Sequence, residues 1–185
     1  ISLGLVGSEM CIRDRVCARG QILAWNSSEK WRTLGKNGPS VARRLCVPPG
    51  MDDLVRAVAT ATGFHGLCGF DWVIDENEGR AKMIEFHPRP PSGFGIGHWA
   101  GVFFDCAIAS LLREESVAPQ RPNPQLYRHH DVCCYFPDHP LYCWKMKDWQ
   151  ELQRWLPWSR SRSWAMLPWD DPTFLVHTLR RSLRP

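Results

Sequence analysis

The segment from Gly69 to Arg89, GFDWVIDENEGRAKMIEFHPR, constrains the fold of this chain more than any other. Two runs of alternating character, Leu67–Ile74 and Ala81–His87, flank the polar stretch Asp75-Glu76-Asn77-Glu78-Gly79. That pattern predicts two strands folded back as a hairpin. With Asp75 opposite Ala81, the turn runs from Glu76 to Arg80, an acceptable hairpin length. The register then sets Phe70 opposite Phe86, Trp72 opposite Ile84 and Ile74 opposite Lys82, on a face apolar enough that it must lie on a core. The other face pairs Asp71 with Glu85, Val73 with Met83 and Gly69 with His87.

Two carboxylates directly across a ladder have Cβ atoms about 5 Å apart and repel one another. A shared proton compensates for this, and so does a divalent cation. His87 lies two residues beyond Glu85, on the same face, and Pro88 keeps it extended. Arg89 follows on that face, within reach of an anion held by a metal. Two carboxylates, a third polar ligand and an arginine are the equipment of a magnesium–nucleotide site. The alternative is that both acids simply face water, since a turn shifted by one residue separates the pair.

The remaining chain is read around this hairpin. Its 185 residues suit one compact domain, or one and a half. A hydrophobic content of 44% excludes a disordered chain. No apolar run approaches the roughly 20 residues of a membrane helix. The net charge of +4 does not indicate a dedicated nucleic-acid binder. Eight cysteines without a C-x-x-C pair argue for a reducing, cytoplasmic setting, with Cys68 and Cys106 acting as small hydrophobes in apolar stretches. Val16–Trp25 reads as one short strand, residues 26–40 as a polar segment ending in a loop, and Met51–Thr62 as a helix stopped by Gly63. A second helix is expected over Trp99–Arg113, with Val102, Phe103, Cys106 and Ala109 aligned. Residues 116–130 read as a linker or surface loop, and Val132–Phe136 as a strand. Helices are expected over Lys147–Trp155, opening at Asp148, and from an N-cap at Asp171 with Pro172 in the first helical position. Leu5–Arg15, LVGSEMCIRDR, resembles an in-frame translation of a transposase-type sequencing adapter. Residues 1–15, Cys11 included, are therefore set outside the fold, and the rest is expected to be the C-terminal fragment of a longer protein.

The strand carrying Asp71, the short turn to Gly79 and the closing run Glu85-Phe86-His87-Pro88-Arg89 resemble the C-terminal half of an ATP-grasp catalytic domain, whose second strand ends in E-x-N-P-R. The preceding helix with Gly63-Phe64-His65-Gly66, and the region Gly101-Val102-Phe103-Phe104-Asp105, fit the same layout. Gly20–Ala24, Lys30-Trp31-Arg32 and Gly38-Pro39-Ser40 are more loosely similar to it. The resemblance implies an α+β fold, an antiparallel sheet with helices packed on one face over residues 16–112, followed by a small α+β extension over 113–185 rich in Trp and Pro. It implies an ATP-dependent ligase that joins a carboxylate to an amine or thiol through an acyl-phosphate. Asp71 and Glu85 would hold Mg²⁺ bridging the nucleotide phosphates, and Arg89 would stabilise the transferring phosphoryl group. Lys30 and Arg32 would touch the carboxylate substrate or phosphates, or else belong to a solvated loop, the reading slightly favoured for both. His87 stands where the family has Asn, so its nitrogen contacts a phosphate, shifts the metal preference towards Mn²⁺ or Zn²⁺, marks a decayed site or is structural. The domain half that supplies most of the nucleotide pocket in the family is absent, so the fragment alone should bind ATP poorly and be inactive.

Weaker patterns point elsewhere. Gly93-Phe94-Gly95-Ile96-Gly97 resembles a phosphate-binding glycine loop but reads better as a flexible active-site loop. His129, His130, Cys133, Cys134, His139 and Cys143 form a conceivable zinc set. The late tryptophans (Trp144, Trp149, Trp155, Trp158, Trp164, Trp169), with Arg154, Arg160, Arg162, Arg180, Arg181 and Arg184, are suited to stacking on single-stranded nucleic acid. They read better as packing a C-terminal cap, which the helical core spacing of Trp149, Leu152, Trp155 and Leu156 supports. The competing function is therefore a non-catalytic binding module.

Overall fold

A computed structural model describes residues 11–35, 38–75, 79–91, 94–127, 132–155 and 171–182. The elements run β1 (Cys11–Ala18), β2 (Gln21–Thr33), β3 (Ser40–Leu45), α1 (Met51–Thr62), β4 (Gly66–Asp75), β5 (Arg80–His87), a 3-10 helix (Phe94–Ala100), α2 (Phe104–Leu112), α3 (Pro124–Tyr127), β6 (Val132–Cys134), α4 (Asp138–Met146), α5 (Trp149–Trp155) and α6 (Pro172–Ser182). They fall into two compact units, one within Ile1–Glu29 and Leu45–Arg128, the other within Lys30–Arg44 and His129–Pro185.

In the first unit the strands lie in the order β5-β4-β1-β2, every neighbouring pair antiparallel. Val16–Trp25, expected as one strand, is a hairpin. Arg19 and Gly20 take φ of 48° and 84°, as a two-residue primed turn requires. A Cβ at Gly20 would also come within 3.2 Å of the Ala59 carbonyl oxygen, so glycine is needed there twice over. β2 then runs on to Thr33 where a polar loop was expected. Its Asn26, Ser27 and Ser28 are buried, and Asn26 and Ser27 sit opposite Asp14 and Arg13 in the ladder. Strand pairing thus overrides a composition that reads as solvent-facing.

Residues 11–15, set outside the fold on sequence, form the first part of β1, between β2 and β4. Arg15 is wholly buried, its guanidinium 3.9 Å from the centroid of the Phe70 ring, with Nη1 donating to the Val55 carbonyl at 3.3 Å.

Met51, Val55 and Ala59 of α1 pack on Cys17, Trp25, Cys68, Phe70 and Trp72. Val102, Phe104, Ala107 and Leu111, from α2 and its approach, pack on Val16, Leu23 and Ala24. Val16 and Cys17 are consecutive and point to opposite faces. The α+β class with an antiparallel sheet holds, with helices covering both faces rather than one. α1 keeps its expected bounds, and Gly63 closes it at φ 58° with its N–H donating to the Thr60 carbonyl. The second helix starts five residues later than expected, at Phe104. Its buried stripe is Phe104, Ala107 and Leu111, leaving Phe103 and Cys106 exposed. Phe94–Gly97 of the glycine segment lie in the 3-10 helix, with Ile96 buried, and Gly93 lies outside the described residues. An added Cβ at Gly97 would lie 2.5 Å from the Phe104 ring, so this glycine serves close packing. Part of the expected linker is held to the first unit. Gln120 donates its N–H to Leu23 and accepts from Trp25, and its side chain accepts from the Phe103 N–H at 2.7 Å.

In the second unit, β3 pairs antiparallel with β6, Ala42 opposite Cys134 and Arg44 opposite Val132. The Arg44 guanidinium lies 3.3 Å from the Trp31 ring centroid. Asp148 caps α5 by accepting from the Glu151 N–H at 3.0 Å, and Asp171 caps α6 by accepting from the Phe174 N–H at 2.8 Å, both at the expected positions. Trp149 is exposed rather than core, while Trp155 and Leu156 lie outside what is described at side-chain level.

Candidate metal centre

The β4–β5 hairpin has the expected register at one end and departs from it at the other. Gly69 faces His87, Phe70 faces Phe86 and Asp71 faces Glu85. A bulge follows, after which Trp72 faces Met83, Val73 faces Lys82 and Asp75 faces Arg80. The strands therefore meet one residue earlier in β5, and the turn is shorter by Arg80. Ile84, expected opposite Trp72 on the core face, is the unpaired residue and is 51% exposed. The acidic pair lies on the turn-distal side of the bulge, where counting back from the turn gives the same answer because the shorter turn and the extra residue cancel.

Asp71 is 8% exposed, and its Oδ1 accepts no hydrogen bond. A buried carboxylate oxygen without a donor is costly unless a cation faces it. The His87 ring stands between the two acids, with Nε2 3.5 Å from Asp71 Oδ1 and Nδ1 3.6 Å from Glu85 Oε1. Ligand atoms of all three residues lie within 4.8 Å of one another, and no other group of three or more such side chains among the described residues does this. The Glu85 side chain is 64% exposed, so the cluster is walled by Asp71 on one side and open to solvent on the other. Buried oxygen, imidazole nitrogen and an accessible second carboxylate fit a divalent cation with room for a further ligand.

Arg89 is exposed in the bend beyond β5. Lys30 and Arg32 belong to the second unit. The Arg32 guanidinium donates to the Trp31 carbonyl at 3.0 Å and lies 3.8 Å from Glu151 Oε2. Glu151 is also 3.7 Å from His139 Nε2, and His139 is 3.7 Å from the Cys143 sulfur. Sequence reasoning named His139 and Cys143 within a conceivable zinc set but missed Glu151 and the pairing of the three. Its signals were the i, i+4 spacing of His139 and Cys143 and the position of Glu151 three residues after a cap. Burial pushes the Cys143 thiol up to about 11. Of the conceivable zinc set, Cys133 and Cys134 are consecutive on β6, and His129 and His130 lie outside the described residues.

No family model matches the chain, and no curated protein matches it at a significant level. Among solved structures, it is similar to a Rhizobium etli pyruvate carboxylase crystallised with acetyl coenzyme A, at 16% identity and a TM-score of 0.47, over 71% of this chain and 14% of that one. It is also similar to an N5-carboxyaminoimidazole synthetase from Staphylococcus aureus, at 16% identity and a TM-score of 0.41, over 60% of this chain and 31% of that one. The same synthetase in complex with ADP gives 19% identity and a TM-score of 0.38. The chain thus spans less than a third of the length of either protein.

Proposed function

We propose that this chain is part of an ATP-grasp ligase, the C-terminal portion of a domain that activates a carboxylate with ATP and passes the acyl group to an amine or thiol. In the first step a carboxylate oxygen takes the γ-phosphoryl group and ADP leaves. In the second, the amine or thiol attacks the acyl carbon, and inorganic phosphate leaves with the C–O bond electrons. The observation that carries this reading is the convergence of Asp71, Glu85 and His87 across one hairpin, with an undonated Asp71 oxygen buried against it. The run Glu85-Phe86-His87-Pro88-Arg89 supports it from the sequence side.

A divalent cation held by Asp71, Glu85 and His87 would supply positive charge to offset that of the nucleotide phosphates. The chain's own residues have simpler tasks. Asp71 is fixed by the ladder and cannot follow solvent. Glu85 presents an accessible carboxylate across from it. Arg89, exposed just past Pro88, offers a planar fork that matches a phosphoryl group or acyl-phosphate.

The test is calorimetric titration of ATP into the full-length protein, with and without divalent cation. Nucleotide binding should require the cation and should be lost in Asp71→Asn and Glu85→Gln variants that keep the wild-type circular dichroism spectrum. Cation-independent binding that both variants retain would remove the assignment.

A further inference from the structure

We infer that His87 is itself a metal ligand, through Nε2, and that the centre selects a nitrogen-accepting transition ion (Mn²⁺, Co²⁺ or Zn²⁺) over Mg²⁺. This rests on reading the Asp71–Glu85–His87 cluster as a cation site and adds to it which ion the site is built for. Three observations support it. The separation of His87 Nε2 and Asp71 Oδ1 is 3.5 Å. Two donors each about 2.1 Å from one tetrahedral ion lie about 3.4 Å apart, so the pair already has the spacing of neighbouring ligands. Asp71 Oδ1 is buried and accepts no hydrogen bond, which leaves its lone pairs directed at whatever occupies the gap.

The third observation is the other ring nitrogen. His87 Nδ1 is 3.6 Å from Glu85 Oε1. With an ion on Nε2 the ring proton sits on Nδ1, where this carboxylate is placed to accept it. Metal-binding histidines are commonly oriented in this way, with the non-ligating N–H held by an acid. One Glu85 oxygen serves that role, and its second oxygen remains for the ion or for solvent. The donor set is then one imidazole and one or two carboxylates. Hard Mg²⁺ prefers oxygen donors and near-octahedral geometry, whereas an imidazole in so small a set favours first-row transition ions.

Manganese(II) alone is the probe. Free hydrated Mn²⁺ is counted by its electron paramagnetic resonance signal, and spin-echo modulation of the bound ion reports directly coupled ¹⁴N. Wild-type protein should bind one Mn²⁺ with nitrogen coupling, and Asp71→Asn should lose it, which locates the ion. His87→Asn should retain Mn²⁺ binding through oxygen but lose the nitrogen signal. That variant should weaken Zn²⁺ and Co²⁺ at least about tenfold while changing Mg²⁺ by less than about threefold. Bound Mn²⁺ without ¹⁴N coupling in the wild type would overturn the ligand assignment and leave the cation site standing. Absence of a Mn²⁺ site sensitive to Asp71→Asn would overturn both. The wild-type spectrum decides the ligand question even if His87→Asn fails to fold.

Discussion

At the scale of single residues, burial and charge compete most openly at His139. Burial disfavours the charged ring and holds its pKa below the ordinary value of 6.5, while the Glu151 carboxylate at 3.7 Å works the other way. Arg32 adds to the lowering and Asp148 opposes it. A base with a depressed folded-state pKa binds fewer protons when folded than when unfolded. Its contribution is therefore fully present above the unfolded pKa of about 6.5 and is lost as the pH falls towards the folded value. Urea unfolding between about pH 5 and pH 7 should show stability rising with pH, and His139→Gln should flatten that slope. An unchanged slope in the variant would mean that other groups carry it. The thiols give a second expectation. Cys106 is exposed, whereas Cys143 is buried with its pKa pushed up to about 11. An aromatic disulfide reagent should label Cys106 rapidly in the native protein and Cys143 only after denaturation, with Cys106→Ser removing the fast phase. Fast labelling of Cys143 would contradict its burial. The juxtaposition of Asp71, Glu85 and His87 was visible in the sequence because alternation assigns faces without any knowledge of distant contacts. The engagement of Arg32 by Glu151 was not, because it joins residues more than a hundred positions apart.

At the scale of elements, the hairpin shows what alternation can and cannot specify. Counting from the turn assigned Asp71 to Glu85 correctly but put Ile84 on the core, because a bulge leaves no mark in the hydrophobic pattern. The bulge makes a sharp prediction. Phe70→Ala, at a wholly buried position, should cost about 3–5 kcal/mol. Ile84→Ala should stay within about 0.5 kcal/mol, as an exposed position does. Chemical denaturation of both variants checks this, and a loss of several kcal/mol at Ile84 would restore the unbulged register. α1 was legible to the residue because its stripe and its closing glycine are local signals. β2 was not, since Asn26, Ser27 and Ser28 read as loop and are strand only through their partners in β1. α2 was shifted because its start depends on the packing of the 3-10 helix before it.

At the scale of the whole molecule, the mixed α+β class was what the family resemblance around the hairpin implied. The joining of Lys30–Arg44 to His129–Pro185 carries no sequence signal at its first two crossings, whereas the third, after Arg128, falls within the segment 116–130 that reads as a linker. None of the described helices is long and apolar enough on its own to cross a membrane. The functional account reduces to whether one hairpin grips one cation, and ligand-linked stability measures that most directly. A cation that binds only the folded chain raises its stability by about 2.7 kcal/mol at a hundred times its dissociation constant. Denaturation midpoints of wild type and Asp71→Asn should be compared in EDTA and in saturating Mn²⁺. The account predicts that the wild type gains stability on that order. It also predicts that Asp71→Asn, relieved of like-charge repulsion across the ladder, is at least as stable as wild type in EDTA and gains nothing from the ion. Equal shifts in both proteins, or none in either, would contradict it.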